Sequence, residues 1–242
     1  MSLTNNRFFV LIIISHLSLV YILIFGSMFQ IITSFFIFIF ITLFSSTIIY
    51  HRFLSHKSWK PPRWYEIFAI ILGIFSFTGS PITRTLAHRY HHSYTETNKD
   101  PHSPRVHGIF LSYFPMLKNE KLNPILIKDL LHDNLYTFIH KNYLNIILIT
   151  CCITFIFLGF NWTLSILIAP GALCWFNISL CNILCHWGKN NDPIKQNRIL
   201  AWITFGEGYH KHHHENPRDP DFGNGNYDPG YAVIKLISKL PN

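Results

Sequence analysis

The chain has 242 residues, of which 49% are hydrophobic and only 13% charged, with 22 Phe, 15 His and a formal net charge of +8. Soluble domains average about 25% charged residues, so the composition argues against an ordinary soluble enzyme and for a membrane protein of one sizeable domain. The basic excess could suit nucleic acid, but its distribution along the chain assigns it to membrane orientation instead.

In chain order, the first apolar run, "FFVLIIISHLSLVYILIF" (8–25), has a core too long for a signal peptide and no small-residue cleavage site after it. It reads as a helix that stays in the membrane. The second run, "IITSFFIFIFITLFSSTIIY" (31–50), also has the roughly 20 residues that a span needs. A third apolar stretch (64–82) follows "KPPR", contains Glu66 and ends in "TGSP", which marks helix boundaries on both sides. It is expected to lie at the interface or against the other helices; if it spanned, the histidines after it would be separated from those before it. Two further spans are expected at 143–160 and 162–185.

The short gaps inside each helix pair carry no charge, so all 20 Lys and Arg and all 12 Asp and Glu fall outside the four spans. Two hairpins then put the N-terminus, segment 51–142 and segment 186–242 on one face, and the positive-inside rule makes that face cytoplasmic. The expected architecture is a single all-α membrane domain, 1–242, with four transmembrane helices and a cytoplasmic helical cap. Cys151, Cys152, Cys174, Cys181 and Cys185 lie in apolar runs without a CxxC pattern and read as small buried hydrophobes.

Four histidine clusters occupy the expected cap face: "HRFLSH" (His51, His56), "HRYHH" (His88, His91, His92), "NILCH" (Asn182, His186) and "HKHHH" (His210, His212, His213, His214). Positions i, i+3 and i+4 share a helical face, so His88/His91/His92 and His210/His213/His214 can each aim three imidazoles at one point. Asn182 and His186 share a face too. His212 should point away, and the second helix should end or bend between His51 and His56. His16, His102, His107, His132 and His140 read as ordinary structural histidines. Nine imidazoles exceed what one ion uses and fit two ions at four or five each, with Asn182 able to hold a metal-bound water. Imidazole suits Zn, Cu, Fe and Ni alike, so the spacing does not choose the metal.

The boxes HxxxxH in "HRFLSH", HRxHH in "HRYHHSYTETNKDPH", NxxxH in "NILCH" and GEGxHxxHH in "GEGYHKHHH" resemble those of the integral-membrane fatty acyl desaturases of the stearoyl-CoA Δ9 type. The resemblance implies a non-haem diiron centre with His51, His56, His88, His91, His92, His186, His210, His213 and His214 as ligands, and Asn182 holding a water near one iron. It implies that O2 and two external electrons remove two hydrogens from adjacent methylenes of a long-chain acyl substrate, carried on CoA, a carrier protein or a lipid. A fatty acyl hydroxylase or acetylenase would use similar boxes; a non-enzymatic membrane metal-binding protein is the other alternative. No HPGG haem motif occurs, so a separate electron donor of cytochrome b5 or ferredoxin type is expected, at a bacterial inner membrane or the endoplasmic reticulum, with the former favoured.

The chain departs from the family pattern at three places. Ser45 and Ile49 stand at family glycine positions before the first box, and Leu86 and Ala87 replace an Arg-Asp pair common in acyl-CoA members. The segment after His214 is short. Thr95, Glu96, Asp100 and Pro101 resemble a family loop expected to hold the second box through turn and cap bonds. Glu207 is a candidate to fix the tautomer of a ligand histidine, and Lys and Arg in 105–141 and 189–198 are candidates for an acyl carrier's phosphate.

Overall fold

The structure, a computed structural model, describes residues 6–117, 122–187 and 194–240. Lys118, Lys121 and Lys189, candidates for carrier binding, lie outside the described residues. Every regular element among the described residues is a helix, and four are long and apolar enough to cross a membrane: α1 (Asn6–Phe25), α2 (Met28–Ser55), α6 (Asn134–Leu158) and α7 (Phe160–His186). Between α2 and α6 come α3 (Arg63–Gly73), α4 (Pro81–Ser93) and α5 (Pro104–Tyr113). After α7 come α8 (Arg198–Ile203), α9 (His210–Glu215) and α10 (Pro229–Ile237).

The two hairpins turn on glycine. Gly26 is packed so tightly that an added Cβ would stand 2.5 Å from the Ile22 carbonyl oxygen, and Ser27 with Gln30 then forms a reciprocal cap for α2. The second turn lies at Gly159 rather than at Asn161, because Gly159 alone adopts the positive φ of 78° that closes α6 onto α7. α6 also begins well before the expected 143: the Asp133 side chain accepts from the backbone N–H groups of Leu135 and Tyr136 and starts the helix there. Charge is therefore not wholly outside the long helices, since Arg7, Arg52 and Lys141 sit within α1, α2 and α6. All three lie near helix ends, where a long cation reaches polar surroundings or finds a partner.

α7 is the central helix, with 67% of its most apolar window buried against 11% for α6, and both α1 and α2 pack on it. Large side chains such as Leu17, Ile24, Phe36, Ile156 and Phe157 face outward, as a lipid-facing surface requires. The 64–82 stretch does not run on as one helix. α3 ends in a tight turn, Phe77 takes a left-handed φ of 54° and Gly79 one of 107°, and α4 leaves at 81° to α3, capped by Ser80 with Pro81 behind it. Phe77 is anchored at that bend because Gly171 of α7 leaves room for its ring, where a Cβ would approach within 2.3 Å.

α2 ends at Ser55, between His51 and His56 as the spacing requires, with His56 as its C-cap. From Thr42 to Ser55 it widens into a π-helix, whose i→i+5 bonding returns residues five apart to nearly one face. Side chains follow the same step: Arg52 and Ser55 donate to the carbonyls of Thr47 and Tyr50, five residues back. The widened segment also buries Arg52 completely. Its guanidinium pairs with Asp228 at 2.8 Å and Glu207 at 3.2 Å, donates to the Pro220 carbonyl and lies 3.8 Å over the Phe222 ring. One side chain thus fastens the C-terminal segment to α2. Arg52→Met should cost about 3–5 kcal/mol, because Asp228 would stay buried without its cation. A thermal melt of the purified protein should show a clearly lowered midpoint; an unchanged one would contradict this role.

Candidate metal centre

Four segments deliver histidines to one end of the bundle. α2 supplies His51 and His56, α4 supplies His88, His91 and His92, α7 ends on His186, and α9 supplies His210, His213 and His214. They sort into two groups, His51/His56/His88/His92/His213 and His91/His186/His210/His214, in each of which the candidate ligand atoms lie within 4.8 Å of one another. The α4 and α9 triplets are therefore split between the groups, and each helix contributes to both.

Within the groups the Nε2 atoms turn inward. His56 and His88 approach at 2.8 Å, His51 and His213 at 3.1 Å, His213 and His92 at 3.0 Å, His186 and His210 at 2.8 Å, and His91 and His214 at 3.3 Å. On the outer side, carboxylates hold three Nδ1 atoms: Glu207 on His51, Asp100 on His91 at 2.8 Å, and Glu96 on His186 at 2.8 Å. An acceptor at Nδ1 keeps the proton there and leaves the Nε2 lone pair free for a metal. Burial also holds the imidazoles neutral. It pushes His56 down to about 3, with Arg89 and His91 adding repulsion, and holds His210, His213 and His214 well below the ordinary range. Neutral imidazoles with inward lone pairs are what two divalent cations need, so the donor set fits a pair of metal ions.

The carboxylates differ in character. Burial raises Asp100, but its hydrogen bond and charge interaction with His91 outweigh that and hold it at about 2. Glu207 is pushed up to about 7 by burial, which Arg52 only partly offsets, so it can share a proton with His51. Thr95, Glu96 and Asp100 do more than shape a loop. Thr95 closes the end of α4 on the His91 carbonyl, while Glu96 and Asp100 touch histidines directly.

His212 points away and meets Asp219 at 3.2 Å, as its place in the helix requires. His16 bonds Tyr113 and His140 bonds Ser80, both outside the two groups. Asn182 borders a cavity of about 20 Å³, lined also by His51, His88, His210 and Glu207, with room for about one water. A larger cavity of about 330 Å³ lies alongside, and Arg84 borders both. Its lining includes Ala87 and Trp175 but not Ile49, which is buried in the core, while Ser45 donates to the Ala69 carbonyl. Nothing local in the sequence marks Arg84 or Asp228, whereas Arg52 is signalled by its place inside a histidine box at the end of an apolar helix.

The fold and site define an all-helical protein with four membrane-length helices and a histidine cluster able to hold metal. The model of the fatty acid desaturase family matches residues 26–222, and the chain belongs to that family. It is similar to an acyl-CoA C20 Delta5-desaturase of Anemone leveillei, 30% identical over 216 residues that cover 81% of this chain and 67% of that one. It is also similar to Delta-9 acyl-lipid desaturase 1 of Arabidopsis thaliana, 34% identical over 183 residues, covering 69% and 58%. A third relative is the chloroplastic palmitoyl-monogalactosyldiacylglycerol delta-7 desaturase of Arabidopsis thaliana, at 32% over 184 residues, covering 69% and 48%. The chain thus spans between 48% and 67% of the length of these relatives.

Asp100→Asn should weaken divalent metal binding roughly 10- to 100-fold by freeing the His91 ring. Spectrophotometric Co(II) titration of the purified protein measures this, and unchanged affinity would remove Asp100 from the site. The metal-free protein should also be acid-labile. Below the ordinary imidazole value of 6.5 the unfolded chain takes protons that the buried rings refuse, so stability falls as pH drops from 6.5 toward the His56 value of about 3. Melting midpoints recorded across that range should decline steadily; a flat profile would show that the rings are not held neutral.

Proposed function

We propose that this chain is an O2-dependent fatty acyl desaturase whose two histidine groups hold two iron ions. His51, His56, His88, His92 and His213 would ligate one iron, and His91, His186, His210 and His214 the other. The observation that carries this reading is the division of nine inward-facing Nε2 atoms into groups of five and four. Bound iron, supplied with two electrons by a separate donor protein, would let O2 remove two hydrogens from adjacent methylenes. All other requirements fall on the chain itself.

Glu207, Asp100 and Glu96 hold His51, His91 and His186 in the tautomer that offers Nε2. Asn182 would position a water in the small cavity that both groups border. The larger cavity presents Phe8, Met116, Leu144 and Trp175 to a hydrocarbon chain and would fix which methylenes stand nearest the metals. The relatives act, by their names, on acyl-CoA or acyl-lipid substrates, which supports a fatty acyl substrate here. A membrane site with the metal centre on the cytoplasmic face agrees with the basic segments that flank the spans.

Expression in a host lacking its own oxygen-dependent desaturase tests the reading. A new monoene should appear in the total fatty acids, vanish with His213→Ala and persist with His212→Ala. Purified native protein should carry two iron atoms per chain. A hydroxylated product would assign the scaffold to hydroxylation, and iron-free protein without product after donor and substrate are supplied would overturn the enzyme reading.

A further inference from the structure

The two histidine groups differ in the charge around them. Two carboxylates stand behind the four-imidazole group, Asp100 on His91 and Glu96 on His186, each at 2.8 Å. Among the described residues neither pairs with a lysine or arginine, so both negative charges are left to that group. Behind the five-imidazole group every carboxylate is already neutralised. Glu207 touches His51 but also pairs with Arg52 at 3.2 Å and lies within electrostatic reach of Arg84. Asp228 pairs with Arg52 at 2.8 Å, and Asp129 is shared between Arg89 and Lys57. The charges of Arg52 and Arg84 extend to His51, and that of Arg89 to His56. A divalent cation therefore meets a surplus of negative charge in one group and of positive charge in the other.

The outer ring nitrogens differ in the same sense. A ring that gives its Nε2 lone pair to a metal carries its proton on Nδ1. In the five-imidazole group that nitrogen is buried without a hydrogen-bond partner at both His88 and His213; in the other group this holds only at His210. An N–H buried without an acceptor is costly. The fifth imidazole is thus offset by a second unanswered N–H and by the cations beside it.

We propose that the two groups fill in order. A divalent cation binds first and more tightly to His91, His186, His210 and His214, and a second binds more weakly to His51, His56, His88, His92 and His213. Glu96 and Asp100 are then positioning residues for the tighter site, and the five-imidazole group is the one that empties first when metal is scarce. That the metal is iron rests on the desaturase reading; the order of filling does not.

Withdrawal of metal from the loaded protein tests the order. Full-length protein in phosphatidylcholine nanodiscs, loaded with Co(II) at both sites, would be titrated with a chelator of known affinity while visible absorbance counts the ions that remain. The ions should leave in two steps at least about tenfold apart, the smallest effect that one opposite charge at contact range has on a bound proton. Glu96→Gln should weaken the tighter step roughly 10- to 100-fold, the scale for losing an outer partner of a ligand histidine, and leave the weaker step unchanged. His56→Ala should weaken the other step alone. Arg84→Gln removes a cation beside the five-imidazole group and should strengthen the weaker step, a gain that a damaged fold does not produce.

Release of both ions in one step, or a Glu96→Gln loss confined to the weaker step, would overturn the proposal. If Glu96→Gln does not fold, Arg84→Gln carries the comparison, and an unchanged weaker step in that variant would overturn it equally. Ordered release from a protein that forms no monoene, with donor and substrate supplied, would leave this proposal standing and remove the enzyme reading. A monoene from a protein with two equal sites would do the reverse.

Discussion

Nine imidazoles sharing one hollow can all offer a lone pair only if none keeps its proton on the inward nitrogen. Without metal, facing Nε2 atoms at 2.8–3.3 Å must share protons pairwise. With metal, every inner nitrogen can be bare, provided the outer one holds the proton. Glu207, Asp100 and Glu96 impose that condition on His51, His91 and His186, and burial keeps the rings from charging. Much of the remaining architecture serves to bring these rings and carboxylates to one place.

Three departures from regular helix do most of that placing. The π-helical end of α2 puts His51 and His56 in the same group, which an α-helical step of five would not. The bend at Phe77 and Gly79 turns the chain back, so that α4 meets the C-terminal ends of α2 and α7. The buried Arg52 ties the C-terminal segment to α2 through Asp228 and Glu207, and Glu207 in turn touches His51. Removing Arg52 therefore reaches the metal centre through a carboxylate as well as loosening the fold.

Two cavities meet at Arg84, a small polar one at the histidines and a larger one with an apolar wall and three cations. Ala87, one helical turn beyond Arg84, lies on the wall of the larger one.

The sequence alone determined the four long helices, because unbroken apolar runs of spanning length have few other uses in water or lipid. It also determined which histidines face together on α4 and α9, and that His212 faces away, because helical periodicity fixes directions within one helix. It did not determine how α4 and α9 divide their triplets between two groups, since that depends on where other helices lie. The widening of α2 was illegible for a related reason: nothing in "STIIYHRFLSH" distinguishes i→i+5 from i→i+4 bonding until burial of Arg52 and packing against α3 and α4 select it. The carboxylates behind the rings come from distant segments, with 90 residues between Glu96 and His186. Only the tertiary structure brings such groups into contact, because the free energy that holds them arises from burial and pairing across the whole chain and not from any local preference.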